Sequence, residues 1–316
     1  MTLMKTCVGV VAFLLASGAA GKLPPEGGVS AVKVAEVPGY TEGVVFDRHG
    51  AAYISDTYHG KIYRVTPDGR TEVWAETGAP NGHKILPDGT HLVCDGSRHA
   101  VLRLDAAGKV IGEVSKESGG VPLRSPNDLT LDARGGFYFT DPGGSSVEKP
   151  IGTIHYVDAR GHTRLVAEGL AFPNGIVLRP DGKTLLVGES GRNRVLRFDV
   201  RAPGRLRNMR VFADLPQKGA GQIENAPDGM CLDEDGNLFV AHYGMRRVQV
   251  LSPSGELVRS YPGGTLTTSN VAFGGPRMDQ LYVTGALAGE RDSPGALFRL
   301  DLKGVRGLKI LKNREP

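Results

Sequence analysis

Six oxygen-bearing side chains recur along this sequence, each directly ahead of an apolar run. The shortest interval separates Glu42 from Asn81, and the longest separates Asn174 from Asp228. Carboxylate and amide oxygens are the ligands that hard cations such as Ca²⁺ prefer. If the fold brings these side chains together, they predict a divalent-cation site. The six residues are Glu42, Asn81, Asn127, Asn174, Asp228 and Asn270.

A second register of polar residues follows the first at a constant offset of 14 or 15 positions. Because a hairpin that runs out and back returns to its starting height, we expect this second ring to lie just outside the first. Its members are Asp56, Asp95, Asp141, Glu189, His242 and Gly285.

The elements that must position both registers are short, β-rich runs separated by Asp-Gly and Asn-Gly turns. The chain has 45 glycines in 316 residues and almost no helical periodicity, which indicates an all-β protein. Six repeats of about 40 to 50 residues predict a six-bladed β-propeller, whose innermost strands line a central channel. The repeats cover about 40–76, 78–117, 124–170, 171–216, 225–264 and 266–304.

Residues 22–316 are predicted to form this single propeller domain. The leading strand, Val29 to Val37, is predicted to complete the last blade and close the ring. Cys94 and Cys231 lie in strand-like runs far apart in the repeat pattern, so we expect no disulfide between them.

Residues 1–21 differ in composition from the rest of the chain. Lys5, an apolar run and small residues ending in Gly18-Ala19-Ala20 are typical of a secretory signal peptide. We therefore expect export, to the periplasm or the medium. A membrane anchor is the alternative, although the apolar run is shorter than the ~20 residues of a spanning helix.

The charge composition indicates which classes of ligand this chain could bind. Lys and Arg number 38 against 34 Asp and Glu, a net charge of +4, and we predict no basic cluster. This balance argues against nucleic acid as a ligand. After removal of the signal we expect no membrane association, a small-molecule ligand and a monomer.

Asn and Asp residues before strands can also be ordinary turn formers. The tripeptide Pro-Asp-Gly occurs at 67–69, 87–89 and 180–182, after an apolar run in each case, and at 227–229, before one. The first three are predicted to be β-turns. Only Asp228 falls on the ring.

Other hydrolytic chemistries lack their signatures. No Gly-x-Ser-x-Gly nucleophile elbow occurs, and the eight histidines show no zinc-binding spacing. Among them His242 falls in the second ring, where it could touch substrate. Asp132, in a turn, could support a second structural Ca²⁺, although a simple turn aspartate is favoured.

The repeats resemble the senescence-marker-protein/gluconolactonase (regucalcin-like) family. The resemblance covers roughly 40–304 and is carried by SPNDLTLD, FPNGIVLRPDGKTL, APDGMCLDEDGNLFVAHYG and TTSNVAFGGPRMDQLYVT, while TEGVVFD…YISD is similar to its drug-responsive bacterial lactonases. It implies a six-bladed propeller with a catalytic divalent cation, usually Ca²⁺, with Zn²⁺, Mn²⁺ or Mg²⁺ as alternatives. The implied metal ligands are Glu42, Asn174 and Asp228, with Asn127 binding substrate or completing the metal shell and Asp141 as a further ligand.

The sequence departs from the family pattern in two places. Sugar lactonases of the family carry an arginine where this chain has Ser125, and Arg124 lies one position away. Arg124 stays a candidate for substrate binding, but an aldonolactone substrate is not assumed. Val44 replaces a proline that is common after Glu-Gly.

The function predicted from these residues is a Ca²⁺-dependent lactonase. The cation would polarise a lactone carbonyl, and Asp228 would act as general acid and base toward water and the leaving alkoxide. The alternative from another class is a non-catalytic propeller that binds a ligand or partner around a structural Ca²⁺, since one fold serves many functions. Strictosidine-synthase-like and paraoxonase-like propellers, or a lactonase scaffold without activity, are further alternatives.

Overall fold

The computed structural model describes residues 23–219, 223, 225–289 and 293–308. The predicted signal peptide, 1–21, lies outside the described residues. The described part consists of strands and two short 3₁₀ helices, at Glu26–Gly28 and Ser190–Arg192. None of its helices is long and apolar enough to cross a bilayer.

The strands form six four-stranded antiparallel sheets, so the predicted six-bladed β-propeller is confirmed. Each of the first three blades is built from consecutive strands, ordered from the channel outward. Blade 1 comprises β2 (Thr41–Phe46), β3 (Ala52–Asp56), β4 (Lys61–Val65) and β5 (Thr71–Glu76); blade 2 comprises β6 (Pro80–Ile85), β7 (His91–Asp95), β8 (Ala100–Leu104) and β9 (Val110–Ser115); blade 3 comprises β12 (Leu129–Leu131), β13 (Phe137–Asp141), β14 (Gly152–Val157) and β15 (Thr163–Leu170).

The remaining blades repeat this arrangement, with a small hairpin of β10 (Glu117–Ser118) and β11 (Val121–Pro122) between blades 2 and 3. Blade 4 comprises β16 (Pro173–Leu178), β17 (Thr184–Glu189), β18 (Arg194–Ala202) and β19 (Arg205–Asp214); blade 5 comprises β20 (Ala226–Leu232), β21 (Leu238–Tyr243), β22 (Arg247–Leu251) and β23 (Leu257–Pro262); blade 6 comprises β24 (Asn270–Gly274), β25 (Gln280–Ala286), β26 (Gly295–Asp301) and β1 (Val32–Val37).

Blade 6 joins the two ends of the propeller. Its outermost strand, β1, pairs antiparallel with β26. The prediction that the leading strand completes the last blade is therefore confirmed. This pairing closes the ring with main-chain hydrogen bonds and covers an edge that would otherwise be open.

The hydrophobic core is divided among the blade interfaces. The six buried clusters each combine side chains of two neighbouring blades, from Ile54 and Leu297 between blades 1 and 6 to Leu92 and Phe139 between blades 2 and 3. A blade therefore buries both faces only when both neighbours are in place, which makes closure of the ring a condition of stability. Cys94 and Cys231 are free thiols, as expected.

The innermost strands approach one another most closely beside the first register of polar residues. In blades 1, 2, 4 and 5 the residue after that position is glycine, and the pairing register of the innermost strand shifts by one residue there. A Cβ added at Gly175 would lie 2.1 Å from the carbonyl oxygen of Asp228 in the next blade, and one at Gly43 would lie 2.2 Å from that of Asn81. The absence of a side chain at these glycines lets the backbone of the neighbouring blade approach closely. The one-residue register shift is a β-bulge, which reorients the preceding side chain.

Hydrogen bonds complete the circle at the same height. Each blade donates to a main-chain carbonyl of the next blade at or beside the register position. These bonds are Ser55 Oγ to Asn81 O, Gly82 N to Asn127 O, Thr140 Oγ1 to Asn174 O, Ser190 Oγ to Pro227 O, Gly229 N to Ser269 O and Ser269 Oγ to Thr41 O, all between 2.6 and 2.8 Å.

Replacing Gly175 with alanine should destabilise the propeller, because the Asp228 carbonyl belongs to the backbone and cannot rotate away. We expect a loss of about 1–3 kcal/mol in the free energy of unfolding, the usual cost of overpacking. The matched control is Gly112→Ala in β9, where an added Cβ meets nothing within 4 Å. Urea denaturation followed by tryptophan fluorescence would test this, and equal stability of the two variants would contradict it.

Candidate metal centre at the channel mouth

The first register forms a ring at one end of the central channel. The innermost strands contact each other in a closed cycle, so the six register positions meet at the same end of the channel. Glu42, Asp228, Asn174 and Asn270 are each less than a tenth exposed, and Asn81 and Asn127 are half-buried. The three turn copies of Pro-Asp-Gly lie at strand ends, whereas Asp228 lies inside β20, as predicted.

Two carboxylates of this ring, Glu42 and Asp228, are buried and lie on blades 1 and 5. The hydroxyl of Tyr40 donates a 2.7 Å hydrogen bond to Glu42 Oε1. This bond fixes the carboxylate beside the channel. Burying two carboxylates at one ring is costly unless positive charge compensates them.

The donor set fits a hard divalent cation. Asn127 Oδ1 is buried and accepts no hydrogen bond, which is unfavourable for an amide oxygen unless another positive partner takes that place. Only two of the ring residues are acidic, and the described residues contain no group of three or more His, Cys, Asp or Glu side chains that could hold a metal ion. A metal at this ring would therefore depend on amide as well as carboxylate oxygens, which is typical of Ca²⁺ sites.

Asn270 differs from the other ring amides. Its Oδ1 accepts the N–H of Val271 at 2.9 Å, and its side chain packs against Gly229. The oxygen is thus directed at the backbone of its own strand. The amide oxygen of Asn270 is therefore engaged in a hydrogen bond, whereas that of Asn127 accepts none.

The second register lies directly outside the first, as expected. Four of its members pair across β-strands with the residue before their ring position, for example Asp56 with Thr41 and Glu189 with Pro173. Asp95 accepts the N–H groups of Gly78 and Ala79 at 2.8 and 2.9 Å. Asp95 therefore fixes the segment that leads into β6.

Asp141 has the same role in blade 3. Its two oxygens accept the N–H groups of Arg124 and Ser125 at 2.8 and 2.6 Å. Both atoms are thus engaged by the segment that leads to Asn127, which favours a positioning role. Direct contact of Asp141 with a metal stays a prediction.

Arg124 is exposed, but its side chain lies against Gly143. The guanidinium Nη1 donates to the carbonyl oxygen of Ile151 at 2.7 Å. This bond holds the charge on a loop of its own blade. Substrate binding by Arg124 also stays a prediction, and the orientation does not favour it.

His242 is fully buried, and both ring nitrogens have partners. Nε2 lies 2.9 Å from Asn193 Oδ1 and 3.3 Å from Asn225 Nδ2, while Nδ1 lies 3.1 Å from Gln249 Nε2. Burial lowers the pKa of His242 to about 4, so the ring is neutral at pH 7. This network fixes the approach to β20 and favours a supporting role over the predicted substrate contact.

The remaining acidic candidates are held locally. Asp132 accepts the N–H groups of Arg134 and Gly136 and the hydroxyl of Tyr156, which is the environment of a turn aspartate. Burial raises the pKa of Asp56, and the nearby His59, at 3.0 Å, acts against that shift.

An ion pair between the half-buried Lys84 and the buried Asp128 lies beneath the ring and was not predicted from the sequence. Lys84 Nζ lies 3.8 Å from Asp128 Oδ1, and the Asp128 oxygens also accept the N–H groups of Leu129 and Ile176 at 2.8 and 3.3 Å. Burial raises the pKa of Asp128, although Lys84 opposes the shift. The pair links blades 2, 3 and 4 below Asn127 and Asn174. Lys84 follows Asn81 by three residues on an innermost strand and Asp128 follows Asn127, but nothing within either repeat indicates that the two pair.

Comparison with known proteins agrees with this architecture. Residues 40–287 match the model of the SMP-30/gluconolactonase/LRE-like region. Lactonase drp35 of Staphylococcus saprophyticus is 33% identical over 257 residues, 77% of this chain and 77% of the relative. Diisopropyl-fluorophosphatase of Loligo vulgaris is 30% identical over 246 residues, 70% of this chain and 77% of the relative.

Solved structures give the same result. A gluconolactonase from Xanthomonas campestris superposes with a TM-score of 0.76 at 25% identity, covering 90% of this chain and 93% of that one. The match of sequence model, relatives and fold extends over most of the propeller. The chain therefore belongs to the SMP-30/gluconolactonase/LRE-like family.

Proposed function

We propose that this protein is a divalent-cation-dependent lactonase, with Ca²⁺ as the preferred ion. The observation that carries the proposal is the buried, unpartnered Oδ1 of Asn127 in one ring with the buried carboxylates Glu42 and Asp228. Relatives named as lactonases and a gluconolactonase support hydrolysis of a cyclic ester.

Glu42, Asn127, Asn174 and Asp228 are the residues that would hold the ion. When bound, a divalent cation supplies a Lewis acid that polarises a carbonyl oxygen. Tyr40 keeps Glu42 in place through its hydroxyl, and Asp141 fixes the segment that carries Asn127. The fold thereby presents these side chains in a preset arrangement, which lowers the cost of ordering them during reaction.

Asp228 is the proposed general acid and base. Its carboxylate accepts a proton from the attacking water while the new C–O bond forms, and returns that proton to the leaving alkoxide when the ring C–O bond breaks. Asn127 would orient the ester through its amide. The products are one hydroxy acid per lactone, so each turnover releases one proton at neutral pH.

The first test is proton release from aldono-, aliphatic and aromatic lactones in a pH-stat, before and after EDTA, with Ca²⁺, Mg²⁺, Mn²⁺ or Zn²⁺ added back. A fluorophosphate ester belongs in the panel because one relative is named for that activity. We expect hydrolysis that EDTA abolishes and Ca²⁺ restores. Tight Ca²⁺ binding without turnover of any substrate would contradict the lactonase and support the alternative, a binding propeller with a structural ion.

Asp228→Ala should lower kcat by about a thousandfold, within the range for loss of a general acid–base group, and should weaken Ca²⁺ binding in calorimetry. Asp181→Ala is the matched control, because it removes the aspartate of a Pro-Asp-Gly turn that bonds only locally, to Lys183 N at 2.8 Å. Asp181→Ala should retain activity. Retained turnover in Asp228→Ala would refute the assignment.

The Lys84–Asp128 pair should stabilise the fold beneath the ring. Lys84→Met leaves the Asp128 carboxylate without its cation, so we expect a loss of about 2 kcal/mol in the free energy of unfolding. The uncompensated carboxylate adds a negative charge beneath the ring, so Ca²⁺ binding should tighten. Lys84→Met/Asp128→Asn removes both charges and should recover most of the stability. Additive losses in this double-mutant cycle would show that the two residues are not coupled.

A further inference from the structure

The loop between β3 and β4 holds an exposed aromatic side chain beside the candidate metal centre. Tyr58 is 44% exposed, and its ring lies against that of Tyr40, with the ring centres 5.6 Å apart and the ring planes at 45°. The hydroxyl of the buried Tyr40 donates to Glu42 Oε1 at 2.7 Å. One side chain, that of Tyr40, therefore separates Tyr58 from a proposed ligand of the ion.

The loop that carries Tyr58 lies at the mouth end of the channel, because it directly follows Asp56 of the second ring. The residue two positions after each member of the second ring has the corresponding place in its own blade. In blades 3, 4 and 5 that residue is glycine, and in blade 2 it is serine. Only the neighbouring blades 6 and 1 have a large apolar or aromatic residue there. The six residues are Tyr58, Ser97, Gly143, Gly191, Gly244 and Leu287.

Hydrogen bonds fix the backbone on either side of Tyr58. The hydroxyl of Thr57 donates to the carbonyl oxygen of Pro80 at 2.8 Å. On the other side, His59 Nδ1 lies 3.0 Å from the buried carboxylate of Asp56. A tyrosine on a fixed loop has only its two side-chain torsions left to order, so it offers a preformed contact surface at a small entropic cost.

The chemistry of this side of the mouth favours an apolar ring as the group that it contacts. An aromatic face gains free energy by burying apolar area, and more when its partner is a second aromatic ring. A polyhydroxylated lactone instead needs a polar partner for each hydroxyl group that it buries. Arg124, the candidate for such a contact, donates to the carbonyl oxygen of Ile151 at 2.7 Å and is held on blade 3.

We propose that Tyr58 is a specificity-determining residue, which contacts the substituent of the lactone and selects lactones that carry an aromatic ring. This inference rests on the proposed lactonase function. A lactone whose carbonyl oxygen is at the ring of oxygen ligands must place its substituents against the walls of the mouth, and Tyr58 forms an aromatic part of that wall. The competing explanation is that Tyr58 only covers Tyr40 and so keeps Glu42 in place, which would affect every lactone equally.

The test compares three six-membered lactones: δ-valerolactone, δ-valerolactone with a phenyl group on the carbon beside the ring oxygen, and D-glucono-δ-lactone. We expect the parent protein to have its highest kcat/KM with the phenyl lactone. Tyr58→Ala should lower the ratio of kcat/KM for the phenyl lactone to that for δ-valerolactone roughly tenfold, mainly through KM, since this is the upper range for an aromatic pair. Tyr58→Phe keeps the aromatic face and should retain the ratio.

The matched control is Val147→Ala, which shortens an equally exposed side chain in the loop between β13 and β14 of blade 3. Its ratio of kcat/KM should equal that of the parent. An equal loss for all three lactones in Tyr58→Ala would overturn the proposal and indicate support of Glu42 through Tyr40. A larger loss with the glucono-lactone than with the phenyl lactone would assign the aromatic face to a sugar, and would also overturn it.

Binding of a lactam separates the failure of this inference from the failure of the proposed function. If the parent hydrolyses none of the three lactones, the lactonase is refuted, and binding of phenyl-substituted δ-valerolactam, which has the shape of the phenyl lactone, is measured by calorimetry. Weaker lactam binding by Tyr58→Ala than by the parent supports the contact. Equal binding by the two proteins, or no binding by the parent, overturns it. Melting curves and Ca²⁺ titration establish that each variant is folded and keeps the ion site.

Discussion

The rest of the structure depends on the close approach of the innermost strands of neighbouring blades. Their backbones meet where a side chain would not fit, as the 2.1 Å from a Cβ on Gly175 to the Asp228 carbonyl demonstrates. The approach is stabilised by one hydrogen bond from each blade to the next around the channel. Because every hydrophobic cluster lies between two blades, loss of this closure would open the core itself.

The same constraint creates the candidate metal centre. A bulge that lets two backbones approach also rotates the preceding side chain, and four of the six ring residues precede such a glycine. Asn127 and Asn270 are the exceptions, because neither is followed by glycine. In blade 3 the side chain of Asp128 accepts the N–H of Leu129, and in blade 6 the side chain of Asn270 accepts the N–H of Val271. The geometry that closes the propeller and the geometry that gathers oxygen ligands are therefore one feature of the backbone.

The sequence was sufficient for the blade number, the ring positions and the closing strand, because each depends on a local pattern repeated six times. The sequence did not predict which hydrogen bonds each of these side chains makes. Asp141 and His242 share a register, yet one caps a backbone segment and the other joins a buried amide network. Lys84 and Asp128 were missed because their pairing crosses from blade 2 to blade 3, and no pattern within one repeat reports a contact between repeats.

The charges around the ring are consistent with the proposed divalent cation. Glu189 of the second ring is neutralised by Arg192 and Arg194. Asp95 accepts three backbone N–H groups, and Asp141 accepts two. Asp128 is matched by Lys84. Glu42 and Asp228 are the acidic members of the inner ring, and together they supply two negative charges when both are ionised. A divalent cation balances that charge, whereas a monovalent ion would leave one carboxylate uncompensated in a buried site. Because the surrounding acids are compensated by their own neighbours, the two inner-ring carboxylates are left to balance the charge of the proposed divalent cation.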